Sequence, residues 1–556
     1  RNERRVDAPM MGRTWSYAAP WDLYAMSEFN TIVNISQSPI DPDIIYAGTD
    51  DGLVQVTEDG GKNWRRIDRL PGVPNRFFVN DIKADLHDPD TVYVVVDDHK
   101  NGDFSPYILK SENRGRSWRS ISSNLPERHV LWRVVQDHVK PELMFVGTEF
   151  GVFFTVDAGS NWTKLKGGSP NIPFRDLAMQ TREKDLVGAT FGRSGYVLDD
   201  YTPLRSVSQQ MLEDGEVLFP VRKTPWYVPK RDLGCGSPGC QASQGDSYFV
   251  APNPPFGAVF SYYLADDIKS KKDTRTAAEK DAIKENADVR FPDWDVILDE
   301  GREDAPAIIF TVRDADGAIV RHIEAPAKKG FNRVAWDLRY PSLLPWRPDA
   351  EDDFFGSGGV LVAPGTFSVA MSKRIDGVLS PSGQSQTFEV VSVRNDPVLP
   401  GSDQAQRVVF ESAVDELSRA GTGTVAAIDD LVAELDAVKS TLIRARDDGA
   451  MYATANRIQQ RLKDERDRLT DNSQRAIYND VGEMTLQARL WHARFSPTTQ
   501  AHGPTAAQRQ SLAIAKTLFG EVSASLTALV DGDYASLKQA MDDAGVPWTP
   551  GRGVQR

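Results

Sequence analysis

Cysteine and histidine are nearly missing from this chain, and their scarcity removes whole classes of chemistry. Seven histidines are dispersed over 556 residues. No His-Glu-x-x-His and no Gly-x-Ser-x-Gly occurs, so zincin and nucleophile-elbow plans have no residues to use. The two cysteines, Cys235 and Cys240, stand in LGCGSPGCQ. Two thiols without histidines at ligand spacing make a poor zinc site; no metal and no cofactor is expected. With Gly and Pro between them they can close a small surface disulfide, which suits an oxidising compartment, or remain two loop thiols. No apolar stretch approaches the ~20 residues of a membrane span. Acids outnumber bases, 65 − 79 giving −14, and the Lys and Arg residues are scattered. That distribution argues against a nucleic-acid groove or an anionic-membrane patch. The glycines around Arg193 lack the helix and spacing of a phosphate loop. No signal peptide precedes Arg1; translation does not start at Arg, so this is uninformative about compartment.

What the chain has is repetition. The octapeptides TEDGGKNW (Thr57, Asp59, Gly61, Trp64), SENRGRSW (Ser111, Asn113, Gly115, Trp118) and TVDAGSNW (Thr155, Asp157, Gly159, Trp162) share the pattern Ser/Thr-x-Asp/Asn-x-Gly-x-x-Trp. Asp or Asn caps its own turn, Gly takes the positive-φ position, and Trp returns the next strand to the core. Each closes a pair of apolar, β-rich runs. A fourth copy, KDLVGATFGRSGYVLDDYTPL, keeps the strands without the octapeptide. The octapeptides start at 57, 111 and 155, matching the roughly 40–50 residues of a four-stranded propeller blade. About four blades are expected over 31–217, after an N-terminal extension or linker at 1–30. Because blades need neighbours on both sides, an upstream propeller segment or another chain is expected to complete the ring.

The octapeptide resembles the Asp-box of sialidase-like propellers. Together with GTDDG, GTEFGV, FGRSGYVLDDYTPLR and FNRVAWDLRYP, it makes nearly the whole chain similar to secreted bacterial proteins of the sortilin-like, BNR-repeat "glycosyl hydrolase" family. That resemblance implies a multidomain, mainly β protein that is periplasmic or extracellular. Its parts would be Asp-box blades, an immunoglobulin-like β-sandwich and a C-terminal α-helical bundle.

The later residues carry the same organisation. Runs such as PAIIFTVRDADGAIVRHIEA read as strands, with Asp316-Gly317 as a hairpin turn, and a sandwich is expected over 218–400. Asp314 and Asp316 lack the further ligands of a calcium loop. A charged insertion occupies 266–301, with Thr276 to Glu279 offering a capping box. Over 401–556 the period turns helical: Ile428, Leu431, Leu435, Val438 and Leu442 share a face, Ile458, Leu462 and Leu469 another, and Thr505 to Gln508 offers a second capping box. Breaks at 447–449 and 502–504 imply an antiparallel bundle.

Loops of a blade alternate between its two ends. Asp50, Asp51, Asp97, Asp98, His99, Glu149 and Arg193 are therefore expected on the end away from the octapeptides. Two functions fit them. An extracytoplasmic binding or scaffold protein would use this face, with His99 and Arg193, to hold an extracellular glycan or peptide, the arginine taking a carboxylate bidentately. A glycoside hydrolase would instead use two of Asp50, Asp51, Asp97, Asp98 and Glu149 as paired carboxyls at ~5–10 Å. Turn acids that serve only their own loops are the plain alternative.

Overall fold

The three octapeptides fold alike. In the first, the Thr57 hydroxyl donates to Asp59 Oδ1 (2.9 Å) and accepts from the Gly61 N–H (2.9 Å), while Asp59 Oδ1 also accepts from the Asn63 N–H (2.9 Å). Ser111 and Asn113 repeat these bonds toward Gly115 and Ser117, and Thr155 and Asp157 toward Gly159 and Asn161. Backbone at Gly61, Gly115 and Gly159 has φ of 96°, 77° and 87°, which is why glycine stands there.

The computed structural model describes residues 9–10, 13–14, 30–229, 251–343, 359–393, 404–445, 449–478, 482–494 and 503–553. Cys235, Cys240 and the breaks at 447–448 and 502 lie outside them. The chain forms two compact units that divide between Asp214 and Gly215. In the first, a two-residue ladder pairs β1 (Pro9–Met10) with β2 (Arg13–Thr14). Four antiparallel sheets follow. They are β3 (Ile32–Gln37), β4 (Ile45–Thr49), β5 (Val54–Thr57) and β6 (Arg65–Ile67); then β7 (Phe78–Ala84), β8 (Val92–Asp98), β9 (Asp103–Ser111) and β10 (Arg119–Ser120). The third is β11 (Leu131–Gln136), β12 (Met144–Thr148), β13 (Gly151–Thr155) and β14 (Thr163–Lys164), and the last β15 (Phe174–Gln180), β16 (Asp185–Thr190) and β17 (Gly195–Leu198). The fourth copy, without its octapeptide, thus has three strands.

Side chains of a strand point alternately to its two faces, so each blade feeds two cores. Val92, Val94 and Val96 of β8 pack with Tyr46 and Val54 of the first blade, whereas Tyr93 and Val95 pack with Val134 and Met144 of the third. Phe145 and Val152 then meet Phe174 and Leu177 of the fourth. Close approach fixes the glycine of the repeated Gly-Thr pairs: a Cβ on Gly48 would stand 2.4 Å from Val79 Cγ1, and on Gly147 2.6 Å from the Phe174 carbonyl.

The octapeptide tryptophans show a trend. Trp162 is 3% exposed and donates to the carbonyl of Ile121 in the preceding blade, and Trp118 packs into the core that the second blade shares with the first. Trp64, in the first blade, is 44% exposed and its indole N–H turns back to Gly61.

In the second unit, β18 (Glu216–Leu218), β20 (Ala258–Leu264) and β23 (Gly330–Trp336) form one sheet. The other has the order β19 (Thr224–Trp226), β25 (Val378–Ser392), β24 (Gly365–Ile375), β21 (Ala307–Arg313), β22 (Ile319–Ala325). Phe260, Tyr262 and Trp336 from the first share a core with Phe310, Phe367 and Phe388 from the second. Asp314 caps the β21–β22 hairpin, accepting from the N–H groups of Asp316 and Ala318. The insertion holds two helices, Lys271–Lys284 and Trp294–Arg302. Its N-cap is Ser270, whose hydroxyl accepts from the Asp273 N–H at 3.0 Å; Thr276 lies inside the helix, correcting the expected capping box.

A 39-residue helix, Gln404–Leu442, opens the helical region. Its stripe of Ile428, Leu435, Val438 and Leu442 is buried with Ile458, Leu462 and Leu469. The Thr505–Gln508 box is present in full. Arg407, 1% exposed, ties this helix to the segment after β23 by donating to the Leu361 carbonyl (2.8 Å), and pairs within the helix with Glu411 (2.8 Å).

Candidate functional site

The first strand of every blade breaks step once near its start. Pairing skips Val33 in β3, Asn80 in β7, Trp132 in β11 and Arg175 in β15. Such bulges re-aim side chains. Here they fall at the same level of four neighbouring strands, beside the β4–β5, β8–β9, β12–β13 and β16–β17 loops. This is the end of the blades opposite the octapeptide turns, because those turns follow the third strand.

At this level Trp132 is the centre. The Arg175 guanidinium lies 3.5 Å from the Trp132 ring centroid, and the His99 ring meets it edge-on at 5.9 Å. The indole N–H donates to Glu149 Oε2 at 3.1 Å. Phe191 flanks Arg175 at 5.4 Å. Trp132 itself is 8% exposed, but Arg175 is exposed, so the guanidinium forms the solvent side of the stack. Contact at that distance matches cation–π attraction, about 0.5–2 kcal/mol. It also fixes a fork of N–H donors in one plane.

His99 is oriented from below. Its Nδ1 contacts Asp97 Oδ1, and its backbone N–H donates to the same oxygen at 3.1 Å. Asp97 is 1% exposed, and its Oδ2 is buried without a hydrogen-bond partner. The other expected acids hold their loops. Asp50 Oδ1 accepts from the Thr31 N–H (3.0 Å), Asp51 Oδ1 from the Thr49 hydroxyl (2.5 Å), and Asp98 Oδ1 from Asn101 Nδ2 (2.5 Å). Asp50, Asp51 and Asp98 are 2%, 0% and 8% exposed. Burial, reinforced by Asp103 and Asp97, raises the Asp98 carboxyl to about 6 despite the Asn101 bond. His99 and Glu149 therefore meet at Trp132, whereas Arg193 stands exposed on the β16–β17 loop without a hydrogen bond or ring contact to this group among the described residues.

One residue on, a polar layer ties the strands together. Arg133 Nη1 donates to Asp81 Oδ1 (3.0 Å) and Asn34 Oδ1 (3.0 Å), and its Nε to Asp176 Oδ1 (2.8 Å), so one side chain reaches the other three blades. Asp81, 1% exposed, also accepts from the Val134 N–H. Burial pushes its carboxyl upward, against the pull of Lys83, the Val134 N–H and Arg133.

No protein-family model and no curated protein matches the chain. Solved structures do. "YCF48 bound to D1 peptide" is similar at 18% identity, over 30% of this chain and 51% of that one, with a TM-score of 0.24. The GH74 enzyme of Niastella koreensis is similar at 11% identity, over 43% and 29%, and the β-propeller domain of Cps50 (Swd1) from Myceliophteria thermophila at 13%, over 32% and 54%, both with a TM-score of 0.24. This chain thus spans about half the length of the YCF48 structure. The propeller assignment rests on the sheets themselves.

Trp132, Arg133 and Arg175 are absent from the sequence-based set. No shared residue type marked them: the skipped positions are Val33, Asn80, Trp132 and Arg175.

Proposed function

We propose that this chain is an extracytoplasmic binding or scaffold protein of the sortilin-like, Asp-box repeat class, holding a carboxylate-bearing glycan or peptide at the Trp132 end of its blades. The observation that carries the reading is the Arg175 guanidinium over the Trp132 ring, 3.5 Å from its centroid. Stacking leaves the guanidinium edge free to take a carboxylate bidentately, and the neighbouring rings offer apolar surface to a sugar or peptide. His99 and Glu149 border the same ring and add polar groups to it.

A glycoside hydrolase is the second reading, favoured by one observation: burial lifts Asp98 to about 6, toward the range in which a carboxyl serves as general acid. Against it, Asp50, Asp51, Asp97 and Asp98 are all buried. Titration of the full chain with oligogalacturonate and with neutral xyloglucan oligosaccharides, followed by a reducing-end assay of the same mixtures, separates the two. Saturable binding of the anionic sugar without new reducing ends supports the binder; release of reducing ends establishes the hydrolase.

Further blades, from an upstream segment or another chain, complete the ring in this proposal. Exposed Ile35 (67%) and Trp64 (44%) on the first blade and Val197 (56%) on the last support it, since the equivalent faces between blades are covered. The two-sheet core of the second unit supports the immunoglobulin-like reading, and the family resemblance supports a periplasmic or extracellular location.

A further inference from the structure

Three polar side chains, His99, Glu149 and Arg175, border Trp132, and each presents a different group to a ligand. Asp97 Oδ1 takes the His99 backbone N–H at 3.1 Å and also contacts ring Nδ1. A carboxylate only accepts, so the network assigns the ring proton to Nδ1, and Nε2 of the neutral imidazole keeps its lone pair. Asp97, 1% exposed, holds this tautomer from below, while the His99 side chain stays 36% exposed. Nε2 makes no hydrogen bond among the described residues.

Glu149 is half used in the same way. Its Oε2 accepts from the Trp132 indole at 3.1 Å, and its Oε1 has no hydrogen bond among the described residues. Arg175 supplies the donors. Its guanidinium lies 3.5 Å from the Trp132 centroid and 5.4 Å from that of Phe191, a ring on the β16–β17 loop that is 69% exposed. The indole N–H is spent on Glu149, so a ligand at this ring meets one fork of donors, two acceptors and one apolar face.

That set distinguishes a sugar acid from an acidic peptide. A peptide carboxylate answers the fork, but every backbone N–H comes with a carbonyl, and a carbonyl beside His99 Nε2 or Glu149 Oε1 is an acceptor facing an acceptor. A sugar acid carries its carboxylate on a ring whose hydroxyls donate to both, and whose C–H face packs on an aromatic ring. We infer that the Trp132 end takes a hexuronate, with its carboxylate on Arg175, ring hydroxyls donating to His99 Nε2 and Glu149 Oε1, and its C–H face on Phe191. The inference rests on Arg175 as a carboxylate site and adds His99 and Glu149 as the residues that select a glycan.

The test uses the full chain with trigalacturonate, its methyl ester, its ring-O-acetylated form and triglutamate. In calorimetry the wild type should bind trigalacturonate and lose about tenfold or more for triglutamate and for the O-acetylated sugar, which keeps its carboxylates but has no ring hydroxyl to donate. H99F keeps a ring against Trp132. It should lose about tenfold for trigalacturonate and nothing for the O-acetylated sugar, whose hydroxyl is already missing. Nitrogen NMR of histidine-labelled protein should show neutral His99 with Nδ1 protonated and Nε2 bare. Equal binding of the free and O-acetylated sugars, equal binding of trigalacturonate and triglutamate, an H99F affinity equal to that of wild type, or a protonated Nε2 on neutral His99 would overturn the inference and leave Arg175 as a carboxylate site. Trigalacturonate binding that its methyl ester matches, or no binding of any probe, would instead remove the carboxylate site and the inference with it.

Discussion

Replacing Arg133 by Ala should loosen the blades together rather than singly. The guanidinium is bonded to Asn34, Asp81 and Asp176, one residue on each of the other blades. Asp176 is largely exposed, and water replaces its partner at little cost, about 0–1 kcal/mol. Asp81 is different. At 1% exposure it keeps only the Val134 N–H and a Lys83 ammonium at 3.8 Å. Removing one partner of such a pair costs about 3–5 kcal/mol because the other charge stays buried. The double variant R133M/D81N, which removes both charges, should lose about 2 kcal/mol or less. Because the chain has several cooperative units, hydrogen exchange of β7 and β11 amides is the suitable measure. The pH dependence follows. The folded-state Asp81 carboxyl is already raised by burial, so its protonated form favours the fold: that contribution is present at low pH and lost as pH rises through the folded value. Losing Arg133 raises it further, so the deficit of R133A should shrink on acidification. An R133A variant as stable as R133M/D81N, with no pH dependence, would refute the reasoning.

The remaining predictions concern single loops. D98N should leave the Asn101 bond in place; since Asp98 titrates at about 6 when folded and near 4 when unfolded, its charge costs stability as pH rises through 6, and D98N should be the more stable protein at pH 8 and equal to wild type at pH 3, by thermal melting. D157A should cost roughly 1–2 kcal/mol by removing the acceptor for the Thr155 hydroxyl and the Asn161 N–H, without changing ligand affinity in titration. A Cβ on Gly147 has no room before the Phe174 carbonyl, so G147A should cost about 1–3 kcal/mol, read as faster exchange in β12 and β15.

Much of the fold was legible because it is written in local chemistry. Thr57, Asp59 and Gly61 satisfy one turn among themselves, so the turn can be read without knowing what surrounds it. The alternation of Val92, Tyr93, Val94 and Val95 needs only the strand period, and the helical stripes only the 3.6 period. What was not legible depends on register or on competition. Trp132 and Arg175 reach the same level only because each first strand slips by one residue, and a bulge has no sequence signature of its own. Ser270 and Thr276 both precede an acid by three residues; the helix begins at the first because Ser270 has the extended backbone a cap requires, φ −66° and ψ 163°. Asp50 and Asp51 fall in the β4–β5 loop, whereas Asp97 and Asp98 close strand β8; nothing in a linear pattern tells a solvated turn acid from one buried beneath the loop it holds.

The account turns on whether the stacked pair at the blade mouth binds a carboxylate. Titration calorimetry of wild type, R175A and W132F with oligogalacturonate, with an acidic peptide in parallel, measures this directly. The account predicts saturable binding by wild type to one of them, weakened about tenfold or more in R175A and less in W132F, which keeps a ring beneath the guanidinium. Binding of either ligand that is unchanged in R175A would contradict it.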